Sequence, residues 1–313
     1  MKAVITPGDG SLSIEERPDP EPAEGEVLVA VKAAGLNGAD RLQRAGLYPA
    51  PPGAPTDIPG LELAGEVVSL GPGVETAKVG DRVMAIVAGG GQAELCCVHE
   101  SHLLAVPDGV DWAAAGGFAE TFTTAHDAVI GQAGLRAGER LLVTGGAGGV
   151  GTAAIQIAEL VGAEAVASVR DESLRERVSS LGATVVAPGD EGEAGPFDVV
   201  LELVGAPNVP ADLASLKTGG RVVVIGVGAG AKTELNLLVL MGKRAKIMGS
   251  TLRARSIPEK ACAAAGVTAD LLPALESGAL SVPVEESFPL AAAEAAYARF
   301  EAGSKFGKIV LTF

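Results

Sequence analysis

The chain has 313 residues, more than a single hydrophobic core usually supports, so about two domains are expected. Hydrophobic residues make up 48% and aromatics only 3%, so the core must be built from Val, Leu, Ile and Ala. A formal net charge of −15 argues against nucleic acids and anionic membranes as partners, since both require basic patches. Three cysteines, Cys96, Cys97 and Cys262, cannot form a disulfide framework, and a reducing, cytoplasmic setting is the default expectation.

The segment 1–6 is too short for the apolar region of a signal peptide before Pro7 and Gly8. Short strands are predicted at 2–6, 27–34, 62–70 and 81–87, separated by Pro- and Gly-rich turns. Pro18, Pro20 and Pro22 mark an extended loop, and 48–59 is an irregular loop with five prolines. This pattern predicts a barrel-like β domain in the first hundred or so residues.

The stretch 141–170 is the most informative. Leu141, Leu142 and Val143 form a strand, and Gly146, Gly148 and Gly151 then form G-x-G-x-x-G. Val150, Ala153, Ala154, Ile157, Ala158 and Val161 follow at helical spacing. Gly162 closes this helix and 165–169 form the next strand. A flexible glycine loop that binds nothing is the plainer reading. The order strand, motif, helix, strand instead makes a dinucleotide-binding fingerprint. The turn Gly146, Ala147, Gly148, Gly149, Val150 and Gly151 is then the pyrophosphate site. Gly146 is expected to take unusual dihedrals, Gly148 to leave room for the pyrophosphate and Gly151 to let helix approach sheet. Residues 141–158 carry no charge, yet the glycine cluster and Glu159 fit this turn better than a membrane span.

Further strands are predicted at 184–187, 197–204, 221–226 and 246–249, with helices at 208–216 and 234–241 between them. Uninterrupted apolar strands such as 199–201 and 222–225 imply a parallel sheet covered on both faces. Helices at 259–277 and 291–302 and a strand at 308–312 follow, read as the chain returning to its first domain. A ligand is expected between the domains, outside the carboxyl ends of the sheet strands.

Several segments together resemble the medium-chain dehydrogenase/reductase superfamily, specifically its zinc-free quinone oxidoreductase branch. These are A-G-L-N-G-A-D at 34–40, P-G-L-E-L-A-G at 59–65, V-G-D-R-V at 79–83, and the glycine turn followed by T-A-A-I-Q. G-S-T-L-R-A-R at 249–255 and G-K-I-V-L at 307–311 are more specific to that branch. The resemblance implies an α/β chain: a Rossmann doubly wound parallel-sheet domain plus a GroES-like β-rich catalytic domain. The expected boundaries are 1–117 for the catalytic part, 118–254 for an NADPH-binding part and 255–313 for the return. It also implies a homodimer formed through the Rossmann sheets. Zinc enzymes of the superfamily need Cys, His and Cys around an open position. Here Asn37 stands at the first ligand position, Leu61-Glu62 replaces the His-Glu pair, and 118–124 contains no cysteine. His99 and His102 are spaced three apart, unlike H-E-x-x-H, and are expected to be surface or capping residues, so no metal is expected.

The same resemblance assigns roles. Asn37 lies near the nicotinamide ribose, or simply makes an Asx turn before a helix at Ala39. Tyr48 walls the acceptor pocket or hydrogen-bonds the acceptor oxygen, or packs on Pro51 and Pro52. Thr124 matches a threonine near the nicotinamide. Val204, Gly205, Gly226 and Val227 end strands at the cofactor edge, and Phe306, Gly307 and Lys308 close over the cofactor. Arg253 and Arg255 guide the cofactor, bridge subunits or sit on the surface.

Arg170, nineteen residues after Gly151, takes the place of the acidic residue that binds the ribose in NAD enzymes. A cation there favours NADPH, with Asp171 as the competing reading; the branch's usual Ser and Lys pair is absent, with Asp171 and Leu174 in its place. Alcohol oxidation needs a Lewis acid or strong base at the forming alkoxide, whereas a conjugated carbonyl delocalises the charge that hydride brings. The expected activity is therefore NADPH-dependent, zinc-independent reduction of quinones or related conjugated carbonyls by hydride transfer. The alternatives are an enoyl-thioester or alkenal reductase, or a non-catalytic NADPH-binding regulatory protein.

Overall fold

The computed structural model describes all 313 residues, and its contacts divide the chain into two units. The first comprises Met1–Thr123, Leu252–Gly303 and Lys308–Phe313; the second comprises Thr124–Thr251 and Ser304–Gly307. The sequence expectation places these divisions at 117/118 and 254/255. The short segment Ser304–Gly307 joins the second unit because Gly307 is hydrogen-bonded to Ala147 there.

In the first unit β1 (Lys2–Ile5) and β2 (Ser13–Glu16) form an antiparallel hairpin. The larger sheet is built from β3 (Glu26–Gly35), β4 (Glu62–Leu70), β5 (Arg82–Ile86), β6 (Leu95–His99) and β7 (Leu103–Ala105). Along β3 the residues alternate between buried and half-buried, as a strand with one face on a core must. Val27, Val29, Val31, Leu63, Val67, Val83, Cys96 and Val98 fill that core. Burial pushes the Cys96 thiol up to about 12 and the Cys97 thiol up to about 11; both are free cysteines.

The second unit carries β8 (Arg140–Thr144), β9 (Glu164–Ser168), β10 (Thr184–Val186), β11 (Phe197–Glu202), β12 (Leu216–Val224) and β13 (Lys246–Gly249). They form one sheet in the order β10-β9-β8-β11-β12-β13, every pair parallel. This is the doubly wound order, and it reverses between β8 and β11, where such sheets bind ligands beyond their carboxyl ends. Leu141, Leu142, Val143, Val199, Val200, Leu201, Val222 and Val223 are completely buried, which explains why these strands read as unbroken apolar runs. The helix Gly149–Val161 buries Ala153, Ala154, Ile157 and Ala158 and stops at Gly162, whose φ of 75° only glycine adopts freely.

The chain returns to the first unit with β14 (Val284–Pro289) and β15 (Lys308–Thr312), giving the order β14-β15-β3-β4-β5-β7 with β6 also paired to β3. Three sequence expectations need correction. The helix predicted over 259–277 is two helices, Ile257–Asp270 and Leu272–Glu276, because Pro273 cannot continue the first. The strand predicted at 221–226 starts at Leu216, passing through Thr218, Gly219 and Gly220, and ends at Val224. The strand predicted over 197–204 ends at Glu202, whose side chain turns back onto the next two backbone N–H groups.

Candidate functional site

The glycine turn after β8 is shaped by steric contacts that differ from the motif's simplest reading. The left-handed φ belongs to Gly145, at +66°, and not to Gly146. Gly146 is required because a Cβ there would come within 2.8 Å of Ala167 Cβ on β9. At Gly151 a Cβ would lie 2.7 Å from Gly145 O, so this glycine lets the helix pack onto its own entry turn. Gly148 differs from both. Its backbone is extended (φ −76°, ψ 169°), and a Cβ would meet nothing closer than Gly145 O at 3.5 Å. Open space therefore lies in front of Gly148. The first N–H groups of the helix Gly149–Val161 have no carbonyl one turn earlier and carry the positive end of its dipole. That combination suits a diphosphate.

Other segments close around this turn. Gly307 N donates to Ala147 O at 2.8 Å, and Gly307 pairs with Gly148 as an isolated parallel bridge. Phe306 is buried with the Arg177 guanidinium 4.4 Å over its ring. The loops after β11 and β12 are tied together by Ala229 N to Val204 O and Ala206 N to Gly230 O, both 2.9 Å. Gly205 is buried in that junction, Gly226 is half-buried, and Val227 is exposed. Thr124 is buried, on the helix Ala119–His126 where the units divide. Arg170 lies two residues beyond the end of β9 and is exposed. Asp171 instead accepts from Ser173 N at 3.0 Å and Ser173 Oγ at 2.7 Å. Hydrogen bonds from Ser304 and Ser173 hold its carboxyl below the usual range. Asp171 is thereby committed to its own turn, and Arg170 stands exposed at this strand end, where Arg175 Nε also donates to Val169 O at 3.2 Å.

Glu202, which sequence reasoning misses, organises the loop after β11. Completely buried, it accepts from Val204 N at 2.5 Å, Gly205 N at 2.6 Å and Asn208 Nδ2 at 3.2 Å. Its backbone carbonyl accepts from Ile225 N and Gly226 N. Asp212, on the helix Val209–Ser215, is hydrogen-bonded to the same carboxylate. Burial, and then the Glu202 carboxylate, push Asp212 far above the usual carboxylate range. The acid in V-V-L-E-L-V is the available signal, since an acid in a buried strand needs partners.

In the first unit a second polar cluster forms around Glu62, also fully buried. Lys308 Nζ lies 2.7 Å from Glu62 Oε1 and donates to Leu36 O at 2.8 Å and Asn37 Oδ1 at 2.7 Å. Asn37 Nδ2 donates to Glu62 Oε1 at 2.9 Å, and Glu120 N donates to Glu62 Oε2 at 2.8 Å. The three N–H groups of Lys308 are thus all engaged within this cluster. The helix Gly38–Arg44 starts directly after Asn37. Asp40 accepts from Asn37 N at 2.8 Å and from Gly60 N at 3.0 Å, and burial pushes it up to about 6. Tyr48 is half-buried with the Arg253 guanidinium 5.1 Å from its ring centroid, and its carbonyl accepts from Arg253 Nη1 at 3.0 Å. Its main partner is therefore Arg253, which the sequence alone leaves among cofactor, interface and surface roles. His99 caps its turn through Nδ1 to Ser101 N at 3.2 Å, while His102 is buried against Ile257 O.

A doubly wound unit with an open glycine turn, joined in one chain to a β-rich unit with a buried polar cluster, defines a nucleotide-dependent oxidoreductase of the medium-chain type. The family described as "Alcohol dehydrogenase GroES-like domain" matches residues 23–132, and that described as "Zinc-binding dehydrogenase" matches residues 149–265. A quinone oxidoreductase of Rattus norvegicus is 32% identical over 308 residues, covering 93% of this chain and 90% of the relative. The solved quinone oxidoreductase of Thermus thermophilus, also described in complex with NADPH, is 34% identical with a TM-score of 0.85, covering 100% of both chains. The CurK enoyl reductase structure is 26% identical with a TM-score of 0.87, covering 99% of this chain and 98% of the other. The chain belongs to the quinone oxidoreductase family of the medium-chain dehydrogenase/reductase superfamily. It is an oxidoreductase.

The zinc in the second family's description does not fit the residues present. Asn37 is engaged by Glu62 and Lys308, Leu61 offers only hydrocarbon, and Glu62 is paired with an ammonium. No group of three or more His, Cys, Asp or Glu is placed to hold a metal ion.

Two outcomes follow from the buried charges. Lys308→Met leaves the Glu62 carboxylate buried without its cation and should destabilise the fold by about 3–5 kcal/mol. The double variant Glu62→Leu/Lys308→Met should cost less than Lys308→Met alone, as denaturant midpoints would show. Because the folded-state pKa of Asp212 is raised above its unfolded value, its stabilisation is full below the ordinary carboxylate range and is lost as pH rises through the folded value. Asp212→Asn should therefore flatten the decline in stability towards alkaline pH, measured by denaturant unfolding across a pH series.

Proposed function

We propose that this enzyme transfers hydride from NADPH to quinones or related conjugated carbonyls, without a metal. The open space at Gly148, over a helix N-terminus and at the point where the sheet order reverses, carries this reading. The names of the relatives support the cofactor and the acceptor class. Bound NADPH supplies the hydride from its dihydronicotinamide. Gly146, Ala147, Gly148, Gly149, Val150 and Gly151 hold its diphosphate, and Phe306 with Gly307 borders it. Arg170 meets the 2′-phosphate. Val204, Gly205, Gly226, Val227 and Thr124 line the nicotinamide end, with Glu202 bracing the loop that carries the first two.

On the acceptor side Asn37 and Tyr48 present an amide and a phenol. Lys308 and Glu62 fix the Asn37 rotamer by hydrogen bonds to both ends of its amide. Charge arriving on a conjugated acceptor spreads over its π system, so positioning and hydrogen bonding can suffice where an alkoxide would demand a Lewis acid. Reduction of enoyl thioesters is a second reading, favoured by the likeness to the CurK enoyl reductase. An acceptor panel with NADPH separates the two.

The protein acts in the cytoplasm as a homodimer, in this reading. β13 is an outer strand of its sheet, and the adjoining helix Leu237–Lys243 exposes Leu237, Leu238 and Met241 at 63%, 78% and 70%. An exposed edge beside an apolar patch is what a second copy would cover. Leu238→Asp/Met241→Asp should give a monomer by light scattering, whereas an unchanged mass would remove this face from the interface.

Gly148→Val should fold with an unchanged melting temperature, because its backbone angles suit any residue, yet lose NADPH affinity by at least about tenfold. Fluorescence titration alongside thermal melting would register both effects. Arg170→Ala should raise KM for NADPH far more than KM for NADH; equal changes would dismiss the 2′-phosphate contact.

A further inference from the structure

The first unit buries two cations without an ion-pair partner, Arg253 against Tyr48 and Lys260, whose charge interacts with that of Arg253. Arg253 is only 5% exposed and Lys260 only 8%. Arg253 donates to neutral oxygens alone: Nε to Ala88 O at 2.8 Å, Nη1 to Tyr48 O at 3.0 Å and Nη2 to Gln43 Oε1 at 2.5 Å. Three of its five N–H groups are used, so two remain. The Lys260 ammonium has neither a hydrogen bond nor a carboxylate within ion-pair distance. It stands in the first turn of the helix Ile257–Asp270, whose positive dipole end disfavours a cation further.

The charges facing this pair are few. Glu120 acts on both cations and Asp40 on Arg253, while His102 feels the charge of Lys260. Both Asp40 oxygens already accept backbone N–H groups. Burial outweighs these carboxylates and leaves both cations below their ordinary pKa. The surroundings therefore do not compensate the positive charge, and an unpaired buried cation is costly unless something else supplies an anion. Tyr48, half-buried against Arg253, is the acceptor-side group of the proposed function.

We propose that Lys260 and Arg253 form a recognition point for an anionic group, a carboxylate in the first instance, carried by the acceptor. The natural acceptors would then be acid-bearing conjugated carbonyls rather than neutral quinones. This rests on the reading that Tyr48 belongs to the acceptor side, but the anion site can be tested without turnover.

The test is calorimetric titration of the full-length protein with 2-naphthoate, 2-naphthyl phosphate and 2-naphthylmethanol. Naphthoate should bind at least about tenfold more tightly than the alcohol. Lys260→Met should abolish that preference and Lys260→Arg should retain most of it. Because Lys260→Met removes an uncompensated charge, its melting temperature should be equal to or above that of the wild type. Equal affinity for acid and alcohol, or a preference that survives Lys260→Met, would overturn the proposal. So would a marked fall in the melting temperature of Lys260→Met, which would make the lysine structural. Tighter binding of the phosphate than the carboxylate would support the anion site and assign it to a dianion. NADPH oxidation with neutral and acid-bearing quinones is followed separately; its absence with naphthoate binding intact counts against the catalytic reading alone.

Discussion

The pairing of Lys308 with Glu62 is the interaction on which the polar cluster of the first unit depends. It removes an ammonium and a carboxylate from water together, and loss of either partner would leave the other charge buried and uncompensated. The remaining donors and acceptors are met by Leu36 O, the Asn37 amide and Glu120 N. Segments from four parts of the sequence are thereby fixed at one point. The amide of Asn37 can hold only one orientation, because its oxygen faces an ammonium and its nitrogen a carboxylate. Preorganisation of this kind holds a neutral side chain in one rotamer.

The second unit instead buries two carboxylates side by side, Glu202 and Asp212. Burial and the neighbouring Glu202 carboxylate raise the Asp212 carboxyl and favour its neutral form. Glu202 accepts from three N–H donors of the following loop. Both units thus place a completely buried glutamate under a loop, and in both the carboxylate shapes backbone rather than touching a ligand. Lys260 and Arg253 differ because their charge lacks such an answer from the protein.

The fold was legible wherever pattern and periodicity are local. The strand limits at β4, β13 and β15 were read to the residue, and the helix after the glycine turn ended at Gly162 as its capping glycine required. Boundaries failed where a local rule met a longer-range demand. The strand expected from 221 begins at Leu216, so that Gly219 and Gly220 lie inside β12. The motif located the glycine turn but not which glycine takes the left-handed conformation, Gly145, nor that Gly146 is required by the close approach of Ala167 from the neighbouring strand. The polar clusters were least legible. Glu62 and Lys308 are hundreds of residues apart in sequence, and nothing local to either announces the other. Asn37 and Tyr48 were singled out by resemblance, whereas Glu202, Asp212 and Lys260 emerge only from burial and hydrogen bonding.

The elevated thiols of β6 bear on what such an enzyme must survive. Conjugated carbonyls alkylate thiolates, and any protein that concentrates them exposes its own cysteines to that attack. Cys96 and Cys97, held near 12 and 11, remain protonated at neutral pH and are poor nucleophiles. Only Cys262 stands exposed, on a helix surface. An electrophile reaching this unit from solvent therefore meets Cys262 as its one exposed sulfur.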